Sequence, residues 1–104
     1  MLTVLVLVGQ PQARDLIARI ESVPDVCVLS HTHDSDLALA RARVLLPDVL
    51  VLDLSGCFAG DAASVVHRAR LLDLPSELVV HAGGSEPGAL THTLTRLARN
   101  QLAS

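Results

Sequence analysis

The sequence predicts an α/β domain: a parallel sheet with helices packed on both faces. Two observations carry this. Apolar runs rich in Val and Leu alternate with segments whose apolar residues recur at helical spacing, in the order βαβαβαβα, with short connections between them. Two of the runs, Leu2 to Val8 and Val49 to Leu54, are apolar on both sides, as parallel strands covered above and below must be.

The first strand is Leu2 to Val8, ended by Gly9-Gln10-Pro11. Pro11 suits the first turn of a helix. Ala13, Leu16, Ile17 and Ile20 then make an apolar stripe that runs to about Val23, and Pro24 stops it. Val26 to Leu29 is the second strand and His31 to Ser35 a polar loop, with Asp34 or Ser35 as N-cap. Leu37 to Leu46 is helical and ends before Pro47. The third strand, Val49 to Leu54, leads into a loop, Ser55 to Gly60. Ala62 to Leu72 is a helix with Val65, Val66, Ala69 and Leu72 on one side. The fourth strand is Leu78 to about Ala82, and Gly83-Gly84 is a turn. Pro87 opens a last helix striped by Leu90, Leu94, Leu97 and Ala98.

Composition narrows the function classes. The 104 residues suit one domain, spanning residues 1–104, and would also suit the N-terminal piece of a longer protein. Half the residues are apolar, with Phe58 the lone aromatic, so the core is aliphatic. Net charge is −3 with His neutral. The eight cations, all Arg, form no basic block, which argues against direct nucleic-acid binding. No apolar stretch approaches the roughly 20 residues of a membrane span. Residues 1–8 have no basic lead and read as a strand rather than a signal peptide. Cys27 and Cys57 lack metal-motif spacing and form no disulfide framework. A reducing, cytoplasmic setting is the expectation. The chain has no lysine, which removes every mechanism that needs one.

The segment Pro47-Asp48-Val49-Leu50-Val51-Leu52-Asp53 resembles the phospho-acceptor strand of bacterial response-regulator receiver domains, a Pro-Asp-(apolar)-Asp run. The resemblance extends from Leu2 to about Ala82. Asp53 falls on the phospho-acceptor, at a strand carboxyl end where open α/β sheets place their chemistry. One receiver subgroup ends its first strand Asp-Asp-His-Pro and continues into a helix with an early Arg. Here Val8-Gly9-Gln10-Pro11 and Arg14 stand there, without an acid. The next family segment, Met-Pro-Gly-x-Asp-Gly, is Gly56-Cys57-Phe58-Ala59-Gly60-Asp61 here, without its proline. The Thr or Ser that closes the fourth strand is His81. After Ala82 only 22 residues remain, too few for a fourth helix, a fifth strand with its invariant lysine and a fifth helix. The resemblance implies a shortened flavodoxin-like, receiver-like sheet of about four strands in the order 2-1-3-4.

Phosphoryl transfer to a carboxylate needs Mg²⁺ to offset charge on the moving group, and Mg²⁺ prefers oxygen ligands. Receivers supply two acids from the end of strand one; Val8 and Gly9 offer no side-chain oxygen. Asp53 is thus a phospho-acceptor candidate among vestigial positions Val8, Gly9, Gln10 and His81, and its plainer role is to hold a strand end. His31, His33 and Asp34 could hold zinc if a fourth ligand came close. His81 is three strands away, roughly 14 Å at about 4.8 Å per strand, too far to help. A polar surface segment is the simpler reading, and no metal or cofactor is expected. His67 and His92 should face solvent. Gly83-Gly84-Ser85 resembles a weak anion nest without the Walker lysine or the dinucleotide fingerprint, and is more simply a loop and N-cap. Cys57 has no activating base in evidence, and Ser64 and Ser85 have no nucleophile elbow around them.

The leading expectation is a non-catalytic signalling module that works by protein–protein contact without phosphorylation, beside an output domain or partner protein. Two alternatives are a phospho-switch whose site a partner completes, and a small-anion or nucleotide-binding module. Without a fifth strand, the fourth is an edge, and part of one sheet face should be uncovered. The sequence therefore predicts a homodimer through Leu78, Val79 and Val80, joined by exposed leucines of the last helix.

Overall fold

The computed structural model describes residues 1–9, 13–53, 62–72, 76–81 and 88–103. Its elements are β1 (Leu2–Leu7), α1 (Ala13–Glu21), β2 (Val26–Thr32), α2 (Ser35–Leu45), β3 (Val49–Asp53), α3 (Ala62–Leu71), β4 (Glu77–His81) and α4 (Ala89–Ala103). The four strands form one parallel sheet in the order β2-β1-β3-β4, the order that the acceptor-strand resemblance implies.

The two central strands sort their side chains by size. Val4, Val6 and Val8, in and just after β1, join Val49 and Val51 of β3 on the face covered by α1 and α4. Leu5, Leu7, Leu50 and Leu52 point to the other face, under α2 and α3. The helices are sized to match. Large Leu16, Ile20, Leu90 and Leu94 stand over the valines. Small Ala38, Ala42 and Ala69 stand over the leucines, interleaved with Leu39 and Val65. Interdigitating large and small side chains fills both layers to crystal-like density.

Three expectations change. First, β2 continues through Thr32, so His31 and Thr32 lie in a strand, not a loop. The register slips between Val4 and Leu5: Val4 pairs with Val28 but Leu5 pairs with Ser30, leaving Leu29 as a bulge. An extra residue reverses the in-out phase of the strand beyond it. Val26 and Val28 therefore face the α1 layer, and after the bulge His31 does so too. Second, the leucines of the last helix whose side chains are described form no exposed stripe. Leu90, Leu94 and Ala98 are buried and Leu97 packs against them, because α4 swings back over β1 beside α1 and covers that face. Third, Leu72 is partly exposed at the end of α3 instead of joining its buried side.

The helix ends follow local chemistry. Asp34 is the N-cap of α2, its carboxylate accepting from the N–H groups of Asp36 and Leu37. Leu46 closes α2 in the left-handed region, φ 48°, with its N–H on the Ala42 carbonyl, and Pro47 then prevents continuation. Thr91, Thr93 and Thr95 return their hydroxyls to carbonyls one turn back, which satisfies them inside α4. Residues 10–12, 54–61, 73–75, 82–87 and 104 lie outside the described residues, and with them Gln10, Pro11, Cys57, Gly83, Gly84, Ser85 and Pro87.

Leu52 is fully buried in the central strand, whereas Val80 at the sheet edge is 48% exposed. Leu52→Ala should cost about 2–5 kcal/mol through lost burial and the cavity it leaves. Val80→Ala should cost less than about 1 kcal/mol. Thermal melts of the two variants against the parent check the contrast, and equal melting temperatures would refute the assignment of β3 to the centre.

Candidate functional site

The carboxyl ends of the four strands form one edge of the sheet. Asp53 is the last residue of β3 and only 1% exposed. His81, half-buried at the end of β4, is its direct register partner. On the other side Leu7 pairs with Leu52, so one step further brings Val8 level with Asp53. The structure thus gathers Val8, Asp53 and His81 into one row. Gln10 lies outside the described residues.

The β1 end of this row is closed by backbone pairing. Val8 is fully buried, and Gly9 is buried too. The Val8 N–H donates to the Thr32 carbonyl at 3.0 Å. The Val8 carbonyl lies 2.8 Å from His33 Nδ1. A carbonyl only accepts, so His33 Nδ1 donates in this contact. The β2 bulge makes this contact available, since it turns His31 and His33 to the α1 side. Beneath them, Thr32 Oγ1 accepts from the Asp34 N–H, linking the strand end to the α2 cap.

A hard divalent cation beside Asp53 would draw its oxygen ligands from the end of β1. Val8 and Gly9 have no side-chain oxygen, and the Val8 carbonyl already accepts from His33. The described residues do not fit that ion. His31 and His33 do project together, as alternate residues of an extended segment should, with ring centroids 6.2 Å apart and edge-on. They line an open cleft of about 550 Å³ with Arg14 and Glu21 of α1. No group of three His, Cys, Asp or Glu side chains among the described residues is arranged to hold a metal. His81 lies on β4, at the far side of the sheet from β2. His67 and His92 face solvent.

At the opposite end of the sheet the structure brings forward a carboxylate that the sequence pattern did not single out. Asp48 Oδ2 accepts from the Thr3 N–H at 2.9 Å, the Thr3 hydroxyl at 3.0 Å and Gln101 Nε2 at 2.9 Å. The Thr3 hydroxyl accepts in turn from the Asp48 N–H, and the Asp48 carbonyl accepts from Glu77 N–H. One residue therefore ties β1, β3, β4 and the last turn of α4. The Thr3 N–H above all, then the Gln101 amide, the Thr3 hydroxyl and the N-terminal ammonium, hold its carboxyl below the usual value of 3.8 against the opposing pull of burial. The sequence carries one signal of it: Thr3 is the one polar residue in the run Leu2 to Val8.

No family model matches the sequence, and no curated protein matches it either. Solved structures do. The chain superposes on the signal receiver domain of the response regulator NarL from Mycobacterium tuberculosis with a TM-score of 0.68 and 25% identity, covering 96% of this chain and 77% of that one. The receiver domain of a modulated diguanylate cyclase from Desulfovibrio desulfuricans G20 gives 0.63 and 22%, over 93% and 75%. The response-regulator domain of Thermotoga maritima CheB gives 0.58 and 22%, over 94% and 72%. The fold is that of response-regulator receiver domains, as the acceptor-strand resemblance implies.

Because the Asp48 carboxyl titrates lower in the folded chain than in the unfolded one, its contribution to stability is full above about pH 4 and is lost as pH falls through the folded value. Asp48→Asn, which keeps an acceptor oxygen, should flatten stability against pH in that acid range. Asp48→Ala, which strands the Thr3 and Gln101 donors, should cost about 1–3 kcal/mol near neutral pH. Urea unfolding from pH 3 to 7 reads both effects.

Proposed function

We propose that this domain is a receiver-like signalling module that works by protein–protein contact, without catalysis and without phosphorylation of Asp53. The observation that carries the reading is the closed end of β1. Where a receiver presents acids beside its acceptor, this chain has buried Val8 and Gly9, with the Val8 carbonyl committed to His33. Charge building on a transferring phosphoryl group would meet no cation held there and no lysine anywhere in the sequence. His81 stands level with Asp53 where the family places a hydroxyl. Asp53 then serves as a buried polar anchor at the end of the central strand, in a cytoplasmic bacterial protein with an output domain or partner.

The same reading includes a homodimer through β4, the last strand of the sheet order. Leu78 and Val80 project to the leucine face and Val79 to the valine face, by register with Leu50, Leu52 and Val51. Leu78 and Val79 pack against the two cores, which leaves Val80 as the exposed apolar residue of the edge. A two-fold pairing of this edge would bury it and satisfy its outer backbone groups.

Incubation with acetyl phosphate and Mg²⁺ followed by intact-mass spectrometry should show no phosphoryl adduct. An adduct that disappears in Asp53→Asn would overturn the reading. Sedimentation at high micromolar concentration should show a dimer that Val80→Arg weakens by about tenfold or more, through like charges facing across the two-fold. A clean monomer in the parent would remove the dimer.

A further inference from the structure

Helix α2 is apolar on two sides. Its inner side is Ser35, Ala38, Leu39 and Ala42. Its outer side carries Leu37, Ala40 and Val44, whose i, i+3, i+7 spacing sets them on one ridge. A helix with one face on a core ordinarily puts charge on the other. Here Leu37 is 42% exposed and Val44 is 80% exposed. Across a groove of about 300 Å³, α3 adds Leu71, 71% exposed, and Leu72. Of the nine large apolar residues exposed among those described, six lie on these two helices or directly after them. Apolar surface gathered in this way marks a contact site.

Charge says what kind of partner it takes. The protein is acidic overall, at −3. Yet α2, with its N-cap, and α3 carry Arg41, Arg43, Arg68 and Arg70 against Asp34 and Asp36. Asp36 is already paired with Arg68 across the groove. Arg41 turns inward to Ser30 Oγ and the His31 carbonyl. Arg43 lines the groove with no ion-pair partner among the described residues. A second copy of this chain would bring this unpaired arginine to the same surface and supply no free acid for it in the groove. We infer that the α2–α3 face docks an amphipathic helix of a different protein, with an apolar stripe laid on Leu37, Val44 and Leu71 and flanking Glu or Asp side chains meeting Arg43. This rests on the contact-module reading and names its partner's chemistry.

The test uses the 104-residue chain and two synthetic helical peptides with the same leucine stripe, one flanked by Glu and the other by Lys. The Glu peptide should bind saturably, with amide shifts at Leu37, Val44, Leu71 and Leu72. Val44→Ser should weaken it about tenfold. Arg43→Glu should reverse the preference toward the Lys peptide. Both positions lie on the outer surface, so melting should be unchanged; if Val44→Ser melts low, Leu71→Ser takes its place. Equal binding of the two peptides, no saturable binding, or self-association lost in Val44→Ser would overturn the inference. Shifts confined to β4 or to the cleft under α1 would also overturn it, and would leave the contact-module reading standing. A phosphoryl adduct on Asp53 would overturn that reading whatever the peptides do.

Discussion

Two strands buried on both faces set the terms for everything else. β1 and β3 lie side by side at the centre, and their residues alternate valine to one layer and leucine to the other. Helix composition follows from that alternation. Over the leucines, Ala38 and Ala42 of α2 and Ala69 of α3 allow close approach, and Leu39 and Val65 fill the space between. Valines leave a shallower surface that larger residues must fill, so α1 and α4 present Leu16, Ile20, Leu90 and Leu94. Exchanging the faces would create voids on one side and clashes on the other, each costing on the order of kcal/mol.

The same strands decide what the carboxyl edge can do. A residue at the end of a fully buried strand enters the site in whatever environment its neighbours make. Asp53 sits between a β1 end that is wholly apolar and a β4 end that offers an imidazole. The β1 end is further fixed from outside, because the Leu29 bulge turns His33 toward the Val8 carbonyl. In a receiver site, oxygen ligands around the acceptor make the carboxylate reactive. In this chain Val8 and Gly9, beside Asp53, are buried, and the Val8 backbone is paired with Thr32 and His33.

What could be read in the sequence depended on period and composition. The four strands, the four helices and their succession along the chain follow from apolar periodicity and proline placement, which are local, while N-cap chemistry narrows the α2 cap to Asp34 or Ser35 and the structure selects Asp34. The β2 bulge was not legible. Leu29 and Ser30 carry no mark of it, since the extra residue is defined only against the register of β1. Without it, His31 and Thr32 read as a polar loop. The return of α4 onto the valine face was likewise a tertiary outcome: Leu90, Leu94 and Ala98 announced a buried side but not which face it would cover. Asp48 was visible only as part of a motif leading to Asp53. Its bonds to Thr3 and Gln101 span 45 and 53 residues, beyond any local pattern.

The two edges of the sheet are managed differently, and this bears on how the domain meets others. β2 is interrupted by its bulge and braced by Arg41, whose guanidinium reaches Ser30 Oγ and the His31 carbonyl from α2. Both devices make an edge a poor template for another strand. β4 keeps a regular register with β3 along its whole length and leaves Val80 exposed. An uninterrupted edge on one side and an apolar helix ridge on α2 are separate surfaces with separate chemistry. Backbone hydrogen bonding suits the first to a strand, and its symmetry permits a second copy. Arginine around an apolar ridge suits the second to an acidic helix of something else. One domain can hold both contacts at once because neither surface draws on the residues of the other.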